Sequence, residues 1–252
     1  MARWCEVSKD PNSVAAQAWR AETVRQAHAE PVDDRNAYLA GLVRGKHVLD
    51  VGCVDHTMEA AGNAGWLHGR LRAAAKTCLG VDVLTEEVEA LREKGFDVCV
   101  RDITVDPFPD RKFDVIICGE LVEHLGNPGD LFAAAGGMLA PSGLLVLTTP
   151  NPYYLAVVGR ALRGVFPGNV DHVSLFSPPN LAELAERSGM AIRRWRGVRV
   201  WPSMVSVRRR KSLWAASGLV RMGALAPEAL CRTIICEFTL GPVGPAGGEG
   251  GA

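Results

Sequence analysis

Long apolar runs are missing from this sequence of 252 residues. Nowhere do about 18 uncharged apolar residues follow one another, which is the length that a membrane-spanning helix needs. The first residues, Met1 to Asp10, also lack the apolar stretch of a signal peptide. We therefore expect a protein that is soluble or at most bound to the surface of a membrane.

An excess of charge of one sign is missing too. The sequence has 28 basic and 28 acidic residues, so no overall field attracts the protein to a phosphate backbone or to an anionic membrane. A small molecule is therefore expected as the partner rather than a nucleic acid. The charge balance says nothing about the oligomeric state.

Paired cysteines are likewise missing. The seven cysteines stand singly, mostly within apolar runs, and none belongs to a C-x-x-C pair. Cysteine in such runs behaves as a small buried hydrophobic residue, and the pattern is typical of a reducing compartment. We expect the protein in the cytoplasm.

Short apolar runs that alternate with helical stretches indicate the fold class. Five such runs lie in the first two thirds of the chain: His47–Val51, Cys78–Val83, Asp97–Val100, Asp114–Cys118 and Leu144–Thr148. Strands that alternate with helices predict a parallel sheet covered by helices on both faces. Two late strands, Ala191–Trp201 and Arg232–Leu240, complete a doubly wound, mostly parallel seven-stranded α/β sheet.

Four further segments can be distinguished, two of them outside and two of them inside the predicted domain of residues 45–240. Residues 1–44 read as a helical lid in which Asp34 supplies an N-cap signal, and Ser177–Ser188 reads as a helix that begins at Ser-Pro. Residues 202–231 form an insertion in which the basic run Arg208–Lys211 precedes apolar residues up to Leu225. This insertion is either a cap over a substrate or a helix that contacts a membrane surface. The Gly-rich tail, 241–252, is predicted to be disordered.

Acidic residues close three of the predicted strands. In open α/β sheets, ligands bind beyond the carboxyl ends of the strands. The first strand ends at Asp50-Val51-Gly52-Cys53, the second at Asp82 and the third at Asp102. A carboxylate about thirty residues after the first turn can accept both hydroxyls of a ribose, because it offers paired acceptors to a vicinal diol. Asp82 is therefore the candidate ribose ligand.

Three segments carry a resemblance to a known family. Val48–Cys53, Phe113–Cys118 and Leu139–Leu144 resemble motifs of the class I methyltransferases that use S-adenosylmethionine (SAM). The resemblance implies a Rossmann-like fold and SAM as cofactor. It places the methionine part of SAM at the first turn, the ribose at the second strand, the adenine at the third and the sulfonium at the fourth. The implied cofactor residues are, in that order, Asp50, Gly52 and Cys53; Asp82 and Val83; Asp102 and Ile103; Gly119 and Glu120.

The first turn departs from the family pattern. The family usually continues with further glycines, whereas this chain continues with Val54-Asp55-His56. Side chains there restrict positive φ, so the loop must follow another path. Either this variant loop still binds SAM, or the domain has lost the cofactor and serves as a scaffold. The four residues Asp50, Gly52, Asp82 and Asp102 favour binding.

A cluster of ionisable residues follows the fourth strand. Glu120 and Glu123 stand at i and i+3 of a predicted helical turn, with His124 beside them and His172 arriving from a later loop. Such a set suits Mg²⁺ or Mn²⁺ and can also take Zn²⁺. The pattern E-x-x-E-H is similar to two metal-using branches, the ubiquinone-pathway O-methyltransferases and the small-RNA 2′-O-methyltransferases, which implies all four residues as metal ligands.

A metal-free alternative stays open for the same residues. A neutral imidazole can accept a hydroxyl proton, so His124 can act alone as general base. In either case Glu123, His124 and His172 are the candidate catalytic residues.

The residues after the fifth strand are candidates for binding the acceptor. Tyr153 and Tyr154 follow Thr148-Thr149-Pro150-Asn151-Pro152 and either stack on a ring or sugar or pack at the rim. The stretch resembles methyltransferases of bacterial glycan, lipid and natural-product pathways. We expect O-methylation of a hydroxyl on a small-molecule, sugar or lipid-linked acceptor; the alternatives are N- or carboxyl-methylation without metal and the scaffold.

Overall fold

The computed structural model describes residues 4–54, 65–165, 169–200 and 207–241, without the side chains of Trp4 and 207–212. Three of the predictions fall outside these residues. They concern Asp55 and His56 of the variant loop, the side chains of the basic run Arg208–Lys211, and the tail from residue 242 onward.

Nine helices and seven strands occupy the described residues. The helices are α1 (Trp4–Val7), α2 (Val14–Gln26), α3 (Arg35–Leu42), α4 (Leu67–Ala74), α5 (Thr85–Glu93), α6 (Pro128–Met138), α7 (Leu155–Ala161), α8 (Pro178–Arg187) and α9 (Val207–Arg221). The strands are β1 (His47–Val51), β2 (Thr77–Asp82), β3 (Val98–Val100), β4 (Phe113–Gly119), β5 (Leu139–Pro150), β6 (Met190–Arg199) and β7 (Cys231–Leu240). Short 3-10 turns cover Val122–His124 and Pro227–Leu230. None of the described helices is long and apolar enough to cross a membrane.

The strands form one seven-stranded sheet in the order β3-β2-β1-β4-β5-β7-β6. The first five strands are parallel, and β7 runs antiparallel to both β5 and β6. The predicted mostly parallel, doubly wound sheet is thus confirmed. The strand order reverses between β1 and β4, so their carboxyl ends border a crevice in which ligands of such sheets bind.

Strand β5 is longer than predicted. It begins at Leu139, five residues before the expected Leu144, because Leu139 already pairs with Phe113 of β4. The register shifts before Val115 pairs with Leu144, so the Pro-Ser-Gly turn is accommodated as an irregularity inside the strand.

Alternate residues of the central strands face two separate apolar cores. Leu49, Ile116 and Leu145 face a core formed with α2, α6 and α8. Val48, Val115 and Val146 face a second core with α3 and α4. This alternation is what a parallel sheet with helices on both faces requires.

The N-terminal segment is joined to the sheet. The backbone of residues 27–32 forms isolated parallel bridges to β6 at Trp195 and Val198. Asp34 caps α3 by accepting a hydrogen bond from the amide of Ala37 at 3.0 Å, as its N-cap signal predicted. The segment proposed as a lid therefore also extends the sheet edge, because its backbone groups find partners there.

Gly80 provides a test of packing between β2 and the first turn of α4. A Cβ at this position would lie 2.7 Å from His68 Cε1 and 2.8 Å from Cys53 Sγ. Gly80→Ala should therefore lower the free energy of unfolding by about 1–3 kcal/mol, measured by urea denaturation.

Gly137, in the last turn of α6, is the matched control for Gly80. It has no heavy atom within 4 Å of its would-be Cβ. Gly137→Ala should raise the stability by roughly 0.5–1 kcal/mol, because alanine loses less backbone entropy in a helix. Equal stability changes in the two variants would contradict the close packing at Gly80.

Candidate active site

A cavity of about 630 Å³ opens at the carboxyl ends of β1, β2, β3 and β4. Its wall contains every residue that the sequence assigned to cofactor binding: Asp50, Gly52, Cys53, Asp82, Val83, Asp102, Ile103, Gly119 and Glu120. His124 lies on the same wall. The strand topology therefore brings Asp50 and His124, which are 74 positions apart in the sequence, to the same cavity.

The turn after β1 is shaped by one glycine. Gly52 has φ of +77°, a conformation that side chains other than glycine rarely adopt. The amides of Gly52 and Cys53 both donate to the carbonyl of Val81, at 2.9 and 3.2 Å. The first turn is thus bound to the end of β2.

Asp82 connects the same turn to the second strand. Its Oδ2 accepts a hydrogen bond from the Val54 amide at 3.0 Å, and its Oδ1 accepts from the amides of Val83 at 2.8 Å and Leu84 at 3.2 Å. These bonds hold the carboxylate in one orientation at the cavity wall, which preorganises it for a ligand.

Asp102 is held in a similar way after β3. Its Oδ1 accepts hydrogen bonds from the amide of Thr104 at 2.9 Å and from the Thr104 hydroxyl at 2.6 Å. Ile103 beside it is buried and lines the cavity. A fixed carboxylate next to an apolar surface is suited to a heteroaromatic ring that carries an amino group.

Asp50 belongs to the cavity wall but is also buried against α4. Only 2% of its surface is exposed, and its Oδ2 lies 2.9 Å from Nδ1 of His68. His68 is 1% exposed, because the first turn of α4 packs over β1 and β2 and buries the imidazole. Removing one partner of a buried pair of this kind costs about 3–5 kcal/mol.

Glu120 has an unusual backbone at the end of β4. Its φ of +53° makes it the one non-glycine residue with positive φ in the described part of the chain. Its amide donates to the Thr148 carbonyl at 2.9 Å, and its Oε1 accepts from the Thr148 hydroxyl at 3.1 Å. Arg35 Nη1 lies 3.5 Å from the same oxygen. Non-glycine residues in this region of φ cluster at functional sites.

The backbone at Glu120 also separates the two glutamates of the E-x-x-E-H motif. The sequence predicted one helical turn with both carboxylates on one face. The structure instead has a left-handed residue at Glu120 followed by a 3-10 turn at Val122–His124. The structure therefore does not bring Glu120 into a group with Glu123, His124 and His172.

Glu123, His124 and His172 do come together. One possible ligand atom from each lies within 4.8 Å of the others. The rings of His124 and His172 meet edge to face at 4.7 Å between centroids. Asp171, which the sequence analysis missed, places Oδ2 at 3.2 Å from His124 Nδ1.

Glu123 is the buried member of this group. Its Oε2 accepts a hydrogen bond from the Thr149 hydroxyl at 2.9 Å, and its Oε1 has no hydrogen-bond partner among the described residues. Burial raises the pKa of the Glu123 carboxyl to about 7, and the negative charge of Glu120 adds to this effect. A buried carboxyl with an unsatisfied oxygen calls for a proton or a cation.

The donor set of this group fits a divalent cation. It consists of two imidazoles and one carboxylate, with the unsatisfied Oε1 of Glu123 as the free oxygen donor. Without Glu120 the set is richer in nitrogen than the sequence implied, which favours Mn²⁺ or Zn²⁺ over Mg²⁺. Asp171 beside His124 resembles the carboxylates that orient metal-bound histidines.

The tyrosines lie apart from this cavity. Tyr153 is 64% exposed, and its amide donates to Asn151 Oδ1 at 3.0 Å, while Tyr154 precedes α7 as its N-cap. Neither is among the described residues that line the cavity.

Thr148, Thr149 and Arg35 also belong to the site, although the sequence analysis gave them no role. The threonines lie just before the last residue of β5, so the rule that ligands bind at the carboxyl ends of strands could have found them. Nothing in the linear sequence indicates that Arg35 of α3 lies beside Glu120.

Comparisons with known proteins agree with this geometry. A sequence model of a family described as "Methyltransferase domain" matches residues 23–194. A ubiquinone biosynthesis O-methyltransferase of Methylococcus capsulatus is 30% identical over 168 residues, which cover 61% of this chain and 67% of that protein. The protein of the same name from Nitrosococcus oceani is 26% identical over 220 residues and covers 78% of this chain and 88% of its own.

Solved structures show the same fold. A SAM-dependent methyltransferase from Archaeoglobus fulgidus superposes with a TM-score of 0.54 at 16% identity and covers 88% of this chain and 93% of its own. A magnesium protoporphyrin IX methyltransferase from Synechocystis with bound S-adenosylhomocysteine (SAH) gives a TM-score of 0.52 at 15% identity, with coverage of 94% and 93%. Because the family match spans β1 to β5 and the cavity at their ends, we conclude that the chain belongs to the methyltransferase domain family, as a class I SAM-dependent methyltransferase.

Proposed function

We propose that this enzyme transfers the methyl group of SAM to a hydroxyl oxygen of a small-molecule, sugar or lipid-linked acceptor. The observation that carries the proposal is the continuity of one cavity from Asp82 and Asp102 to His124 and Asp171. The methyl donor and His124, which can accept a hydroxyl proton, would thus lie on the wall of the same cavity. The named activity of the ubiquinone-pathway relatives supports oxygen as the acceptor atom.

The residues of the cavity fit SAM. Asp82 would accept the ribose hydroxyls, and Asp102 would accept the adenine amino group while Ile103 packs on the ring. Gly52, whose positive φ shapes the first turn, would lie under the methionine part of SAM. When bound, SAM supplies an electrophilic methyl group on a sulfonium. Gly119 and Glu120, at the end of β4, would lie beside it.

His124 takes part in the transfer in one of two ways. In the first, its imidazole accepts the acceptor's proton as the O–CH₃ bond forms and the S–CH₃ bond breaks, which leaves SAH. Asp171 near Nδ1 would then orient the ring, so that Nε2 is the accepting atom. In the second, Glu123, His124 and His172 hold a divalent cation, which would lower the pKa of the acceptor hydroxyl and position its oxygen.

Helix α9 is proposed as a cap over the acceptor. The 3-10 turn that follows it is bound to the end of β5, because Asn151 Nδ2 donates to the carbonyls of Glu228 at 3.0 Å and Cys231 at 2.9 Å. Leu213 and Ala216 of α9 are buried, whereas Trp214 is 60% exposed. Contact of this exposed face with an anionic membrane is the alternative that the basic run Arg208–Lys211 suggests.

Replacement of Asp82 tests the cofactor site. Asp82→Ala should weaken SAM binding by roughly 2 kcal/mol or more, about 30-fold in Kd by calorimetry, because two charge-assisted hydrogen bonds disappear. Asp102→Ala should cost less, since the adenine keeps its apolar contacts. Asp97→Ala, just before β3 at the opposite sheet edge, is the control and should leave the Kd unchanged. A larger loss for Asp102 than for Asp82 would reverse the two roles.

Chelation separates the two roles of His124. With a bound cation, a chelator should abolish turnover, Mn²⁺ or Zn²⁺ should restore it, and Glu123→Ala should be as damaging as His124→Ala, because ligands of one ion fail together. With His124 as base, turnover should persist in chelator and fall at acid pH, because a protonated imidazole cannot accept a proton. Full activity in chelator together with wild-type rates for Glu123→Ala would exclude the cation.

A vesicle experiment separates the two roles of α9. A variant with serine in place of Arg208, Arg209, Arg210 and Lys211 should keep the wild-type turnover of a soluble acceptor. If α9 is a cap, the wild type should not sediment with anionic phosphatidylglycerol vesicles at low salt. Sedimentation of the wild type that the serine variant loses would instead establish the membrane contact.

A further inference from the structure

Three consecutive residues at the start of α4, Trp66, Leu67 and His68, contact three different parts of the cofactor cavity. All three also belong to the cavity wall. We call this stretch the WLH segment. It follows the variant loop in the sequence, and neither cofactor ligation nor the proposed chemistry uses it.

Trp66 contacts the first turn. Its Nε1 donates a hydrogen bond to the carbonyl of Cys53 at 3.0 Å. The indole is 4% exposed and meets the Phe96 ring at 5.0 Å, edge to face. Because the indole is held by packing, its hydrogen bond fixes the position of the Cys53 peptide, directly after Gly52.

His68 contacts the end of β1. Its Nδ1 lies 2.9 Å from Asp50 Oδ2, and both side chains are at most 2% exposed. Nε2 has no hydrogen-bond partner within the described residues, so the bond to Asp50 and packing against the Trp66 and Phe96 rings hold the imidazole in place. The absence of a side chain at Gly80 provides the room for the imidazole.

Leu67 contacts the end of β4. A Cβ built on Gly119 would lie 2.8 Å from Leu67 Cδ2, so the leucine packs directly on the backbone that leads into Glu120. A further bond connects the segment to the N-terminal helices, because Asn36 Nδ2 donates to the carbonyl of Gly65 at 2.7 Å.

These contacts matter because the first turn lies outside regular secondary structure. Gly52 is the one residue of this turn with left-handed backbone among those described, and Cys53 and Val54 after it carry side chains. A turn whose path is fixed before the ligand binds loses less conformational entropy on binding, so contacts that hold it raise the affinity.

We propose that the WLH segment is the positioning element of the SAM site, which holds the first turn, Asp50 and the end of β4 in the geometry that binds the cofactor. The proposal rests on the assignment of the cavity to SAM. Its members act through the backbone and through Asp50, and are positioning residues rather than catalytic ones.

Calorimetry with SAH, together with melting temperatures of the ligand-free protein, tests this role. Trp66→Phe keeps the ring and removes the bond to Cys53, and it should raise the Kd for SAH by about 5–10-fold. His68→Leu should weaken binding by at least as much. His68→Asn should restore most of the affinity, since the Asn amide stands near the place of Nδ1 and can donate to Asp50.

Leu71→Ala is the matched control. Leu71 lies in the same helix and is fully buried, but it packs in the core with α3 and not on the cavity. This variant should lower the melting temperature while the Kd for SAH stays within about twofold of the wild type, because Leu71 does not line the cavity and the bonds of Trp66 to Cys53 and of His68 to Asp50 stay in place. In turnover assays, Trp66→Phe should raise KM for SAM more than it lowers kcat.

Two results would overturn the proposal while the SAM site stands. One is a folded Trp66→Phe protein with wild-type affinity for SAH. The other is a Leu71→Ala protein that loses as much affinity as Trp66→Phe. A wild type that fails to bind SAH would overturn the cofactor site itself, and the positioning role with it.

Discussion

Parallel strands that end at one sheet edge, with the strand order reversing between β1 and β4, create the crevice on which the site depends. The next described helices after β1 and β4, α4 and α6, pack on opposite faces of the sheet, which is the arrangement that opens a crevice where the strand order reverses. Polar side chains such as Asp82 and Asp102 can therefore stand at this edge without being buried in the apolar cores.

Two of the buried polar side chains near this edge are supported by specific partners. Asp50 is paired with His68, and the Glu123 carboxylate accepts a hydrogen bond from the Thr149 hydroxyl. A buried charge without such support is costly, so these contacts limit the rearrangements that the site can undergo. Two atoms of this group, Nε2 of His68 and Oε1 of Glu123, have no partner among the described residues, and the Glu123 oxygen lies where a cation or a proton can be useful.

The neighbouring threonines of β5 divide the two glutamates between different tasks. Thr148 binds Glu120, which also lies near Arg35 of the N-terminal helices, and Thr149 binds Glu123 beside the histidines. In the proposed function, Glu120 lies on the cofactor side and Glu123 on the acceptor side. The left-handed backbone at Glu120 separates the two carboxylates, because it changes the direction of the chain between Glu120 and Glu123.

The sequence by itself determined the fold class, the approximate positions of the seven strands and the nine candidate cofactor residues that lie on the cavity wall. Hydrophobic periodicity is a local property, so the strands can be predicted from the sequence. Because the carboxyl ends of parallel strands lie at one sheet edge, the residues that follow them, such as Gly52, Asp82 and Asp102, can then be predicted to lie close together. The burial of His68, the pairing of Asp171 with His124 and the separation of Glu120 from Glu123 were decided only by the tertiary structure. The first two depend on how elements that are distant in sequence pack, and the third depends on the φ angle of Glu120. Residue spacing along the chain predicts neither the packing nor this angle.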